Sequence, residues 1–303
     1  MGPRVLRSGG VGSKLGPMSV STEQSTERTA DQVRQVAVAL SAVLAVVGSA
    51  VGSGAFGGTP IAEAGDGALS AEATFLAPDG PAFTIWTPIY VGLVGYAIWQ
   101  ALPARRADPR QRRVGWPAAV SMLLNAAWIL IAQAGRVTAS VVVIVALLAS
   151  LILVYVRLLS PRASAAPRAS AAPRAWVARS SGWVESVLLD GTFGLYLGWV
   201  SVATIANLTA ALVAADVGDL VLGADVWAVL VLVVAIAVGL AVAAAGQGRL
   251  PYAVAMCWGL AWIAVGRSDG PDSSTLVALF AVAAAVIVAL GTLVARIGRA
   301  DRA

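Results

Sequence analysis

Two apolar stretches of this chain carry one polar and aromatic pattern. Ser121, Asn125 and Trp128 stand at i, i+4 and i+7, and Thr192, Tyr196 and Trp199 repeat that spacing. At about 100° per residue each trio spans an arc of about 60°, so a hydroxyl, an amide or phenol, and an indole share one helix face. Asn207 continues the second face, about 20° from Tyr196. In a third stretch, FTIWTPIYVGLVGYAIWQ from Phe83 to Gln100, Trp86 and Tyr90 stand one turn apart with Pro88 between them, and Tyr96 and Trp99 lie deeper. Indoles stack on flat apolar molecules and amides hydrogen-bond their edges, so three facing stripes would line an aromatic-walled pocket. The same spacing also serves packing, with polar side chains as interhelical hydrogen bonds and indoles at the membrane interface. Both uses stay open at this level.

The residue types exclude much else. The chain has no histidine, which removes His-ligated haem, His-containing zinc sites and histidine general bases. Its single lysine, Lys14, lies in a polar tail, so no Schiff base forms within the apolar part. One cysteine, Cys257, allows no intrachain disulfide. Arg157, Glu185 and Asp190 sit at the ends of apolar stretches, and none of these stretches has an ionisable residue near its centre. An ion-coupled pump, which needs a mid-membrane carboxylate, is disfavoured. No G-x-S-x-G, P-loop, pair of membrane aspartates or metal-ligand cluster is present. Conventional side-chain catalysis has little to work with, and neither a catalytic residue nor a metal site is expected.

With 303 residues, 58% of them hydrophobic and 12% charged, and a mean hydropathy of +0.81, the chain reads as a polytopic membrane protein. Apolar spans are expected at 33–52, 82–102, 115–133, 138–157, 191–213, 226–245, 251–266 and 275–295. The fold class is therefore all-α, a membrane helical bundle of about eight transmembrane helices. A polar tail, 1–32, is expected to be disordered, with Met18 as a second candidate start. A Pro/Ala/Ser/Arg segment at 160–182, with the tandem repeat PRASAAP, reads as a flexible basic linker.

The pI near 10.0 invites a nucleic-acid reading, but the placement of charge argues against one. Basic residues fall in short blocks between alternate spans, and of 21 only Arg136 and Arg267 fall in the other set of loops. Those other loops collect Glu63, Asp66, Glu72, Asp79, Asp216, Asp219, Asp225, Asp269 and Asp272. By the positive-inside rule both termini are cytoplasmic, and the protein belongs in the cytoplasmic membrane. Gly48/Gly52 and Gly194/Gly198 read as close helix packing, and Trp116 and Trp183 as interfacial markers. The loose sterol-type pattern matches twice, at Leu153–Tyr155–Arg157 and, reversed, at Arg249–Tyr252–Val254, a frequency that makes it uninformative in so Val/Leu/Arg-rich a chain.

At its aromatic residues the sequence resembles the TspO/MBR family, the tryptophan-rich sensory proteins related to the mitochondrial translocator protein. The matching pieces are W-T-P-I-Y at Trp86–Tyr90 with Trp99 beyond, L-N-A-A-W at Leu124–Trp128, and Y-L-G-W-V-S-V-A-T-I-A-N at Tyr196–Asn207. The resemblance assigns residues 33–213 to a five-helix TspO-like domain and leaves 214–296 as three additional spans before a basic tail at 297–303. It implies a pocket under the first external loop that takes a tetrapyrrole such as protoporphyrin. Trp86, Pro88 and Tyr90 would line it from the second helix, Asn125 and Trp128 from the third, and Tyr196, Trp199 and Asn207 from the fifth. The single Pro88, where family members commonly have two prolines, is a departure.

The function expected on this basis is a membrane sensor or carrier of a tetrapyrrole-like hydrophobic molecule, with no obligatory cofactor and porphyrin as ligand. Its expected partners are the bilayer, that small molecule and a second copy in a homodimer, not nucleic acid. The alternative is a facilitative transporter of a small neutral solute made of two four-helix halves. An Ala-Trp-Ile echo at 127–129 and 261–263, each followed by Gly-Arg, feeds that alternative.

Overall fold

The computed structural model describes residues 18–54, 60–160, 182–217, 222–269 and 273–301. The tail up to residue 17, the basic linker at 161–181 and the last two residues lie outside these. All regular structure among the described residues is helical: α1 Met18–Gly52, α2 Trp86–Ala101, α3 Pro109–Gln133, α4 Val137–Leu159, α5 Thr192–Ala214, α6 Ala224–Ala245, α7 Leu250–Gly266 and α8 Thr275–Ala300. These fall on the eight apolar stretches, because in lipid only a helix satisfies its own backbone. Seven helical segments are long and apolar enough to cross a membrane, and their outward faces contact the bilayer. The remaining helix, α7, has 17 residues. At 1.5 Å per residue it extends about 25 Å, slightly less than a typical hydrocarbon core.

The tail expectation needs correction. Residues 18–32 are not disordered but form the first turns of α1. Polar composition suggested disorder, but ion pairs to α3 tie these turns down. Arg112 binds Asp31 through Nε at 2.9 Å and Nη2 at 2.6 Å, and Glu27 lies 3.4 Å from the same guanidinium. One turn on, Gln35 and Gln100 exchange side-chain hydrogen bonds to each other's backbone carbonyls, at 2.6 and 3.0 Å.

The first five helices close a ring in the order α1–α2–α5–α4–α3, and α7 packs on the outside of α5. α8 packs on α7, and α6 on α8. Glycine lets two seams come close: a Cβ at Gly48 would stand 3.2 Å from that of Ala126, and one at Gly194 2.8 Å from Pro251. Gly198 faces the Tyr252 carbonyl so closely that no side chain fits. Both glycine pairs therefore serve packing, as their spacing predicts. The trios α1–α3–α4 and α5–α7–α8 pack alike, but α2 leans on α1 and α5 whereas α6 sits on α8. The two four-helix halves are not equivalent in packing.

Polar residues converge at one end of the ring. Arg110, near the start of α3, pairs with Glu185 and, at 2.7 Å, with Asp190 on a π-helical turn, Ser186–Gly191, that leads into α5. Arg249, just before α7, reaches the same Asp190 at 2.8 Å and donates to the Leu158 carbonyl at 2.9 Å. Tyr155 and Tyr252 from the two sterol-type matches are buried, with ring centroids 6.3 Å apart, and so present no sterol surface to lipid.

Candidate functional site

Opposite the ion-paired end, α2, α3 and α5 bring their stripes together. Asp79 caps the 3₁₀ turn Gly80–Ile85, accepting from the Gly80 amide at 2.7 Å, and that turn runs directly into α2. Trp86 thereby begins α2 facing inward. Its indole stacks on Tyr90 at 5.4 Å and meets Tyr196 at 5.9 Å and Trp199 at 6.2 Å edge-on. Phe83 adds a further edge contact to Trp199 at 5.6 Å. Edge and offset-stacked geometries of this kind are the favoured aromatic arrangements.

Neutral hydrogen bonds connect the rings to the neighbouring helices. Asn125 Nδ2 donates to Tyr90 Oη at 2.8 Å, and Tyr196 Oη donates to the Ser121 carbonyl at 3.3 Å. Trp128 Nε1 donates to Asn207 Oδ1 at 2.8 Å, and Asn207 Nδ2 donates to Ser140 Oγ on α4 at 2.9 Å. The hydroxyls of Ser121 and Thr192 turn instead to backbone carbonyls at Ala118 and Val187. Two deeply buried polar atoms of the cluster, Trp199 Nε1 and Asn125 Oδ1, have no hydrogen-bond partner. Unsatisfied atoms of this kind are uncommon in folded proteins and call for an explanation.

The loop at 60–79 roofs this cluster. A cavity of about 50 Å³ remains beneath it, bounded by Ile61, Leu69 and Thr74 of the roof and by Phe83, Trp128, Trp199 and Asn207 below. Thr74 and Thr209 hydroxyls lie 3.3 Å apart, linking the roof to α5. α7 also holds the roof: the Trp262 carbonyl accepts from the Asp79 amide at 3.2 Å, and Arg267, just past the helix end, donates to the Ala71 carbonyl at 2.7 Å.

Of the residues expected at the site, Trp86, Tyr90, Asn125, Trp128, Tyr196, Trp199 and Asn207 come together. Pro88 does not. It lies on the exposed face of α2 with Thr87 and Val91, in the helix's first turn where proline is tolerated. Phe83 and Ser140 were not foreseen. Phe83 stands apart from the W-T-P-I-Y piece, and a lone serine in α4 carries no periodic signal. Among the described residues no group of acidic, histidine or cysteine side chains could hold a metal.

A family model described as TSPO-like protein matches residues 35–294. The chain belongs to the TSPO-like family. That match runs through α6, α7 and α8, so the three helices beyond the five-helix ring are part of the TSPO-like unit, not an addition to it. No curated protein and no solved structure matches the chain. The family supports a broad role for this TSPO-like chain as a membrane sensor or binding protein.

Proposed function

We propose that the protein binds a tetrapyrrole or similarly flat hydrophobic molecule at this cluster, acting as a sensor or carrier. The observation that carries the reading is the pair of orphaned atoms, Trp199 Nε1 and Asn125 Oδ1, in a shell otherwise made of aromatic faces. A ligand with an apolar plane and polar edge would cover the indoles and supply partners for both atoms. The cavity of about 50 Å³ is well below the roughly 300–1,000 Å³ of ordinary ligand pockets, so the site as seen is closed. Binding requires the 60–79 roof to lift and the Trp86 and Phe83 rings to separate. Trp86, Trp128 and Trp199 would stack on the macrocycle, while Asn125 and Asn207 hold its edge. The chain's lack of histidine favours free porphyrin over ligated haem iron.

The charge pattern supports an orientation with both termini in the cytoplasm, which puts the roof outside. A homodimer belongs to the same proposal and is checked by light scattering of the protein in nanodiscs. The test of the site is a titration of the purified protein with protoporphyrin IX, followed by absorbance and tryptophan quenching. Saturable micromolar binding is expected, with clear weakening in the Trp128→Ala, Trp199→Ala double variant. Unchanged affinity in that variant would overturn the assigned site, and the absence of saturable binding would overturn the ligand class.

A further inference from the structure

The two halves of the roof are held on the bundle by different means. Residues 71–79 and the turn that follows them are hydrogen-bonded to their surroundings. The Thr74 hydroxyl meets that of Thr209 on α5, and the Ala71 carbonyl accepts from Arg267. The Asp79 amide donates to the Trp262 carbonyl, and Trp258 Nε1 donates to the Ala82 carbonyl at 2.8 Å. All but the first of these bonds involve α7 or the residue after it. Trp258 and Trp262 brace each other edge-on at 5.6 Å, and a Cβ at Gly266 would stand 3.5 Å from that of Asp79. α7 is seated closely on α5, where a Cβ at Gly259 would lie 2.9 Å from the Val202 side chain.

Residues 60–70 have no such bonds. Every hydrogen bond they make among the described residues stays within the loop, as from the Glu63 and Ala64 amides to the Pro60 carbonyl and from the Ala68 amide to the Gly65 carbonyl. Packing holds this half in place. Ile61 faces Gly52, and Ala68 and Leu69 pack on the cluster of Val137, Ala210 and Ala211. The backbones of Gly65 and Gly135 touch, both with left-handed φ, and a Cβ on either would stand 3.3 Å from the other's Cα. Ile61, Ala68, Leu69 and Ser70 of this half line the small aromatic cavity.

We infer that the site opens when the 60–70 half of the roof peels away from the α3–α4 turn, hinged on the 71–82 half that α7 pins. A ligand then enters along the seam between Gly65 and Gly135. Buried polar groups must keep their partners, whereas apolar contacts are non-directional, so local opening starts where outward hydrogen bonds are fewest. α7 contributes no residue to the lining of the aromatic cavity, yet it fixes which edge of the roof can move. The ligand is taken from the reading above, and the direction of opening rests on the roof's own bonds.

The experiment uses the full chain with Cys257→Ser in nanodiscs and two disulfide staples. Gly65→Cys with Gly135→Cys closes the seam, and Asp79→Cys with Gly266→Cys ties the hinge at a Cβ separation that suits a disulfide. Each variant is compared with its own reduced form, by the rate of tryptophan quenching after protoporphyrin IX is added. Oxidising the seam staple slows association at least about tenfold, and oxidising the hinge staple leaves it unchanged. The reverse result, equal slowing by both or slowing by neither overturns the proposal. Should the glycine pair fail to fold, Ala68→Cys with Val137→Cys closes the same seam. A second measurement needs no ligand: amide hydrogen exchange is at least about tenfold faster at 60–70 than at 71–79, and Trp258→Phe brings the slower half toward the faster. Equal exchange in the two halves overturns the hinge whether or not porphyrin binds. Unequal exchange without porphyrin binding overturns the ligand reading alone.

Discussion

At the start of α3, Arg110 is matched against Glu185 and Asp190, and Asp190 is shared with Arg249. A few turns along the same helix, Asn125 and Trp128 meet only neutral partners, Tyr90 and Asn207. The two ends thus handle buried polarity differently, and the energetics of removing a partner differ accordingly. A charge left unpaired in a low-dielectric site costs several kcal/mol, so the ion-paired end is committed to one arrangement. A neutral hydrogen bond contributes about 1 kcal/mol net and can be exchanged for another of the same kind. One end frames the ring, and the other can trade internal bonds for those of a ligand.

The largest expected effect tests the frame. Asp190→Ala strips Arg110 and Arg249 of a shared partner and should lower stability by about 3–5 kcal/mol in denaturant or thermal unfolding. Porphyrin affinity of the fraction that stays folded should not change, and a parallel loss of affinity would erase the distinction between the ends. Next, Asn207→Leu leaves Trp128 Nε1 unmatched at the aromatic end, while Ser140 Oγ loses the amide but keeps the Val137 carbonyl. A stability loss of about 1–3 kcal/mol is expected, together with weaker porphyrin quenching. The smallest change is Tyr90→Phe. It removes the acceptor of Asn125 at a cost of about 1 kcal/mol and leaves the amide free to turn to ligand, so affinity is retained. A Tyr90→Phe variant that cannot bind would make the phenol a ligand contact and sharpen the site's chemistry.

Much of this was legible in the sequence, for physical reasons. The helices follow the apolar stretches because lipid leaves the backbone no alternative. The stripes of α3 and α5 converge because helical period alone sets which residues share a face. What the period does not set is how far each helix is rotated against its neighbours. That rotation brought Ser140 of α4 to Asn207. Pro88 is a different case: the period itself turns it about 160° from both Trp86 and Tyr90, so it never shared their face. The amino-terminal turns of α1 were misread for a related cause. Their order depends on Arg112, far away in the chain, and composition alone registers only polar residues. The same blindness hid the role of Asp190 as the partner shared by Arg110 and Arg249, since the sequence places it only at the end of an apolar stretch.

The length of α1 has a mechanical consequence. Arg34 is anchored to the Arg106 carbonyl at 2.7 Å, at the ion-paired end of the bundle. Met18 begins the same unbroken helix 16 residues earlier, about 24 Å further out at 1.5 Å per residue. The helix therefore carries a spur beyond the ion-paired end of the ring, continuous with a wall of the ring that holds the aromatic cluster. A small tilt of α1 is magnified at the spur's tip, so a probe attached near Met18 would register on the aqueous side a rearrangement that takes place within the bilayer.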